Sequence, residues 1–241
     1  MLNVAGTLNS PRCAGSVFVL CDADTKHPVG TCLAISSRYL LSCQHFMKER
    51  VLNYLIAAVV MKCNGNITFP NDPVNVKVVR FNTDMDYAIL ELQDSNSNLT
   101  PIPISLDPVE SDTDLKLFHC PVAAFHDNSN ADVGVLTRWV KSGYMTNHHL
   151  VCDGGAFRGS SGAPYVLRGG SAIGIHVESF NEAETLSSDD VIAMASIDDQ
   201  IEIISDTVNS IATNYASMSS LLFFGSGTKL IDELRGLGIV P

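Results

Sequence analysis

Apolar runs of five to nine residues, each closed by turn-forming residues, limit what this chain can fold into more than any other feature. The first six cover residues 15–21, 30–35, 39–43, 55–63, 74–81 and 87–92. Asp22-Ala23-Asp24, Lys26-His27-Pro28, Ser36-Ser37, Asn64-Gly65-Asn66 and Pro70-Asn71-Asp72-Pro73 punctuate them. Apolar and β-branched residues fill the runs, so they read as strands. Short strands at regular spacing are the pattern of a β-barrel or sandwich.

A polar stretch from Gln93 to Thr100, followed by Pro101, Pro103 and Pro108, reads as a linker. Six more strand-like runs follow at about 114–118, 133–141, 148–152, 163–167, 172–178 and 191–197. The expectation is an all-β chain of two six-stranded units, residues 1–100 and 101–200, with no residue-level repeat between them. Residues 199–222 change character. Ile201, Ile204, Val208, Ile211 and Tyr215 recur at roughly helical spacing, and Phe223-Phe224-Gly225-Ser226-Gly227 breaks the pattern. Thr228 is a candidate cap for a short last helix running to Arg235, with Gly236 as its stop. Residues 201–241 are therefore expected to form a helical tail packed on the barrels.

Composition narrows the function. With 241 residues, 46% hydrophobic and 17% charged, the chain has enough apolar matter for a sizeable core and is not a disordered one. Its net charge of -11 has the wrong sign for neutralising phosphates, so no nucleic-acid partner is expected. The longest apolar run, residues 54–61, is far short of the roughly 20 residues of a spanning helix, so no membrane partner is expected either. The N-terminal residues lack the basic start and apolar stretch of a signal peptide, which points to the cytoplasm. Seven cysteines cannot all pair within one chain, and none forms a C-x-x-C pair. Reduced core thiols are expected, with no zinc knuckle, no metal and no cofactor. The sequons at Asn66 and Asn98 argue the other way, mildly, and such triplets arise often by chance.

The sharpest local sequence is Gly159-Ser160-Ser161-Gly162-Ala163-Pro164. Glycines on both sides of a serine permit unusual backbone angles, and such a turn can aim several N–H groups at one point, as an oxyanion hole requires. It is not the G-x-S-x-G elbow, because Ala163 stands at the last glycine position. A serine nucleophile needs a base, and the base needs an orienting acid. His45 lies just after an apolar strand and Asp86 just before one. Alone, each is an ordinary polar strand terminus.

Together the three segments resemble the trypsin/chymotrypsin-like serine protease family. Ser42-Cys43-Gln44-His45-Phe46 is similar to the family's T-A-A-H-C, and Asp86-Tyr87-Ala88-Ile89-Leu90 to its D-I-A-L-L. Gly159 to Pro164 is similar to G-D-S-G-G-P. The order His, Asp, Ser agrees, with spacings of 41 and 75 residues that suit a compact member. The resemblance covers about residues 13–200. It implies two six-stranded antiparallel barrels of the chymotrypsin-like kind, with the active site in the cleft between them. It also implies a serine endopeptidase with protein or peptide substrates. In that reading Ser161 attacks, His45 is the base, Asp86 orients His45, and the N–H groups of Gly159 and Ser161 bind the oxyanion. Two positions depart from the pattern. Ser160 replaces the aspartate that pairs with a new N-terminus in secreted zymogens, and Phe46 replaces a cysteine. Both departures fit an intracellular, bacterial-like or viral-like branch.

The segment Ile173-Gly174-Ile175-His176-Val177 resembles the G-I-H element of glutamyl endopeptidases and the G-x-H of viral chymotrypsin-like proteases. There the histidine donates a hydrogen bond to a glutamate or glutamine side chain. Ala156 stands where those enzymes usually have threonine, and Gly155 where trypsin-like enzymes have their acidic residue. A Glu/Gln preference through His176, with Ala156 and Gly155 lining the same pocket, competes with a plain strand histidine beside a differently shaped pocket. His148 and His149 are adjacent on a strand and point to opposite faces, which argues against a shared metal. Two other readings stand beside the enzyme: a silent protease-like scaffold module, and a protease domain cut from a larger polyprotein.

Overall fold

The computed structural model describes residues 15–47, 52–95, 97–122, 125, 128–153, 159–180, 218–226 and 229–241. Two closed barrels dominate it. The first is assembled from β1 (Val17–Asp22), β2 (Pro28–Ala34), β3 (Tyr39–Ser42), β4 (Asn53–Ala57), β7 (Val74–Asn82) and β8 (Tyr87–Leu92). Their order around the barrel is β1-β2-β3-β8-β7-β4, with antiparallel pairing. Between β4 and β7 in sequence lie β5 (Val59–Cys63) and β6 (Asn66–Thr68). The single expected run at 55–63 is thus two strands, interrupted at Ala58.

The second barrel holds β9 (Asp114–His119), β11 (Leu136–Thr146), β12 (His149–Asp153), β13 (Pro164–Leu167), β14 (Ala172–Phe180) and β15 (Met218–Phe223). They follow the order β11-β12-β15-β14-β13-β9. The run at 133–141 also divides, into β10 (Ala131–Gly134) and β11. The strand β10 leaves the second half of the chain and pairs antiparallel with β5, so a three-stranded sheet β10-β5-β6 stitches the halves together.

One expectation needs correcting. Residues 218–222 read as the end of a helix, yet they form β15, which lies between β12 and β14 and completes the second barrel. The physical reason is local: Ser219, Ser220, Leu221 and Leu222 alternate poorly for a helix face and are buried on both sides of a sheet. The expected strand at 191–197 and the remainder of the expected helix, 199–217, lie outside the described residues. A short helix, α1 (Lys229–Gly236), does form, burying Leu230, Ile231 and Leu234. These side chains join a cluster that contains Tyr87 and Ile89 of β8 and Phe118 and Ile175 of the second barrel, so α1 packs where the barrels meet. Its candidate cap, Thr228, is outside the described residues.

Each barrel also has its own core, centred on Leu20, Leu40, Ile56 and Leu90 in the first and on Leu115, Leu117, Tyr165 and Leu221 in the second. Cys21, Cys32, Cys43, Cys120 and Cys152 are free and buried, and Cys63 is free and exposed. Buried thiols of this kind behave as small apolar side chains, and burial pushes the thiols of Cys120 and Cys152 up to about 12.

Candidate active site

Three segments meet at the junction of the barrels. The first is the end of β3. Beyond Ser42 the chain leaves the barrel and presents Gln44 and His45 as a bend. The second is the turn before β8, where the Asn82 side chain accepts from the Met85 N–H. Asp86 there adopts φ 52°, a left-handed conformation that short polar side chains tolerate. The third is the turn that opens β13, with Gly159 at φ 97° and Gly162 at φ 85°.

The Asp86 carboxylate is used fully. One oxygen accepts from the backbone N–H of Gln44 at 3.0 Å and of His45 at 2.7 Å. The other lies 2.6 Å from Nδ1 of His45. Two backbone donors fix the carboxylate against the loop that carries the ring, and the third contact sets the ring's tautomer. The His45 side chain is 46% exposed and that of Asp86 17%, so the acid is sheltered and the base faces solvent.

The serine turn is docked onto the first barrel by backbone contacts. The N–H of Thr31 donates to the Ser161 carbonyl at 2.9 Å, and Oγ1 of Thr31 donates to the Gly159 carbonyl at 2.9 Å. The same Oγ1 accepts from the N–H of Cys120, so one threonine of β2 ties the turn to β9. A Cβ on Gly162 would collide with the Thr31 carbonyl and with Oγ of Ser42. The turn therefore lies against the strand that delivers His45. A Cβ on Gly159 would fall 2.7 Å from the Cys120 carbonyl, and its φ is one that glycine adopts without strain. Phe46, in place of the family's cysteine, packs its ring over Gly30, where a Cβ would be only 2.8 Å away.

His176 is placed beside this turn by two backbone bonds. Its N–H donates to the Ala163 carbonyl and its carbonyl accepts from the Gly162 N–H, both at 2.8 Å. The ring is buried, with Nδ1 3.1 Å from the Tyr165 hydroxyl, which also donates to Oγ of Ser219 at 2.8 Å. Burial, then the neighbouring His119 and His45, push His176 down to about 3, so it is neutral at physiological pH. Gly155 and Ala156 lie outside the described residues.

In the sequence His119 has no nearby partner at ligand spacing and draws no role. It sits on β9, buried, with Nδ1 2.9 Å from Oγ of Ser160, and burial lowers it to about 4. No spacing rule links residues 119 and 160; only barrel closure brings them together. A cleft of about 330 Å³ opens beside Asp86 between the barrels, lined among others by Met85, Tyr144, His149, Val177 and Glu178. Among the described residues, Cys43, His45 and Asp86 place metal-type donor atoms within 4.8 Å of one another. Burial and the adjacent Asp86 hold the Cys43 thiol protonated, which suits hydrogen bonding better than metal ligation.

Residues 30–175 match the family model described as the trypsin-like peptidase domain, a span that includes His45, Asp86 and Ser161. No curated protein matches the chain by sequence search. Solved structures do. An inactive serine-to-alanine form of Rv3671c from Mycobacterium tuberculosis is 14% identical, with 99% of this chain and 97% of that one covered and a TM-score of 0.57. A serine endoprotease from Yersinia pestis is 17% identical over 94% of this chain and 65% of its own, with a TM-score of 0.61. The MamO protease domain from Magnetospirillum magneticum is 15% identical over 71% of this chain and 87% of its own, at 0.52. At these identities the likeness is one of fold.

Proposed function

The chain belongs to the trypsin-like peptidase domain family and is a serine endopeptidase, and we propose that it cuts with a triad of Ser161, His45 and Asp86 and favours glutamine or glutamate before the scissile bond. The observation that carries the triad is the 2.6 Å contact of His45 Nδ1 with a carboxylate already fixed by two backbone N–H groups. That arrangement leaves Nε2 of His45 as the proton acceptor. Ser161 Oγ gives its proton to Nε2 as it attacks the carbonyl carbon. The resulting imidazolium is stabilised by Asp86 and then delivers the proton to the leaving amine. Water repeats the sequence on the acyl-enzyme. The N–H groups of Gly159 and Ser161 receive the oxyanion, a role supported by the left-handed glycine and by the docking of both carbonyls on Thr31.

The preference is supported by a neutral, buried His176 fixed beside the serine turn. With the Tyr165 proton given to Ser219, Nδ1 of the neutral ring donates to Tyr165 and Nε2 is left as an acceptor, which can pair with the NH2 of a glutamine side chain but not with a carboxylate. Glutamine is therefore the expected favourite of the two.

A fluorophosphonate probe tests the triad. One adduct on Ser161, absent from Ser161→Ala, is the expected result; no adduct on folded protein would favour a silent scaffold. A peptide library then reads the preference. Arg or Lys before the cut would remove His176 from the specificity role.

A further inference from the structure

Thr31 of β2 is fully buried and takes no step in the proposed chemistry, yet all its polar atoms are committed to the site. Its N–H donates to the Ser161 carbonyl at 2.9 Å. Its hydroxyl gives its one proton to the Gly159 carbonyl at 2.9 Å and accepts the Cys120 N–H at 3.0 Å. Its carbonyl accepts from Oγ of Ser42, at the end of the strand that leads to His45, at 2.6 Å.

The backbone of the serine turn shows why this matters. The Ser160 carbonyl accepts from the Ala163 N–H at 2.8 Å, inside the turn. In a trans peptide the carbonyl and the following N–H point opposite ways, so this bond aims the Ser161 N–H out of the turn. The carbonyls on either side, of Gly159 and Ser161, both go to Thr31. Gly159, at φ 97°, has no side chain to restrain it. Among the described residues, the partner of its carbonyl is the Thr31 hydroxyl alone.

That hydroxyl joins three pieces of chain. Cys120, just past β9, and Gly159 both belong to the second half, and the oxygen between them comes from the first barrel. A further bond between the halves lies on the other side of the nucleophile, where Cys43 Sγ donates to the His176 carbonyl at 2.9 Å. It holds β14, whereas the threonine holds the turn itself.

We propose that Thr31 is a positioning residue: its hydroxyl holds the oxyanion site in shape, so that the site exists only while the two barrels are docked. This rests on the triad and oxyanion reading above. Without the hydroxyl, a buried carbonyl and a buried N–H both lose their partner, and Gly159 is free to rotate towards another. The N–H groups beside it then lose their aim. A bound peptide in its ground state does not depend on them, but the tetrahedral transition state does.

The test compares wild type with Thr31→Val, Thr31→Ala and Thr31→Ser. Valine keeps the size and the backbone bonds and removes only the hydroxyl. Alanine also removes it, and leaves room for a water on the Cys120 N–H, so a loss shared by both is not a packing defect. Two inhibitors of one peptide sequence give the readout. A peptide aldehyde forms an adduct whose oxygen occupies the oxyanion site; the same peptide with the scissile carbonyl reduced to a methylene has no such oxygen. Valine and alanine should lower kcat and the aldehyde affinity about tenfold, and leave KM and the affinity for the methylene peptide within about twofold. Serine, which keeps the hydroxyl, should recover most of the loss. The pH dependence of kcat/KM should keep the His45 limb of wild type in every variant. Full activity in the valine and alanine variants, equal weakening of both inhibitors, or a serine variant no better than alanine would overturn the proposal. Fluorophosphonate labelling separates the two readings. A wild type that does not label overturns the triad and this inference with it, whereas wild type and Thr31→Val labelling at the same rate overturn this inference alone.

Discussion

Ser160 Oγ lies 2.9 Å from Nδ1 of His119, and both side chains are sealed from solvent. The pair anchors the residue immediately before the proposed nucleophile to β9 of the same barrel. A buried histidine, not an ion pair, is the partner of the Ser160 side chain in this hydrogen bond.

Ser160→Ala should loosen that anchor. Losing a buried hydrogen bond costs about 1–3 kcal/mol of stability. The turn's N–H groups would also lose their aim, so kcat should fall about tenfold while KM changes little. Urea denaturation and steady-state kinetics on one peptide substrate check both parts. A variant as stable and as fast as wild type would show that the turn is held by Thr31 alone.

Acid should unfold the protein through His119 and His176. Both are held neutral by burial, down to about 4 and about 3 against an ordinary 6.5. Between those values the unfolded chain binds protons that the folded one refuses, so stability falls as pH falls. The contribution is complete above about pH 6.5 and is lost as pH drops through about 4; for His119 it is on the order of 3 kcal/mol. Melting curves from pH 8 to pH 4 should show the decline, and His119→Gln should flatten it. A flat wild-type profile would contradict the assignment.

Asp86→Asn should cost about four orders of magnitude in kcat, because an amide cannot hold the ring as the carboxylate does. Asp84→Asn, two residues away and exposed, should stay within about twofold. Single-turnover acylation rates separate the two. Equal losses would mean that the acid assignment is wrong.

Gly162→Ala should be among the most damaging single changes. It adds a methyl at φ 85° against the Thr31 carbonyl and Ser42 Oγ of the other barrel. Neither neighbour is the far end of a flexible chain, so about 3 kcal/mol or more is expected. An unchanged denaturation midpoint would mean that the barrels separate more easily than their contacts imply.

Much of this was legible in the sequence because strands and motifs are local signals. The runs that became β1, β2, β3, β7, β8, β9, β12, β13 and β14 each carry their own turn residues. His45 and Asp86 were paired by motif order, and the 2.6 Å contact follows from barrel closure. What escaped was either ambiguous or non-local. Ser219 to Leu222 has no alternation, because a strand covered on both faces needs none, and it merged with a helical pattern upstream. Ala58 and Val135 interrupt two runs too briefly to register as breaks. The Cys43 and His119 contacts span 133 and 41 residues and depend wholly on tertiary placement.

The late position of β15 has a consequence for how the protein comes off the ribosome. Its strand neighbours, β12 and β14, are synthesised well before it, and they cannot close a barrel without it. A nascent chain that has already exposed His45, Asp86 and Ser161 therefore still has an open sheet behind His176 until residues 218–223 emerge. Proteolytic competence would then wait on the docking of residues 218–223 between β12 and β14.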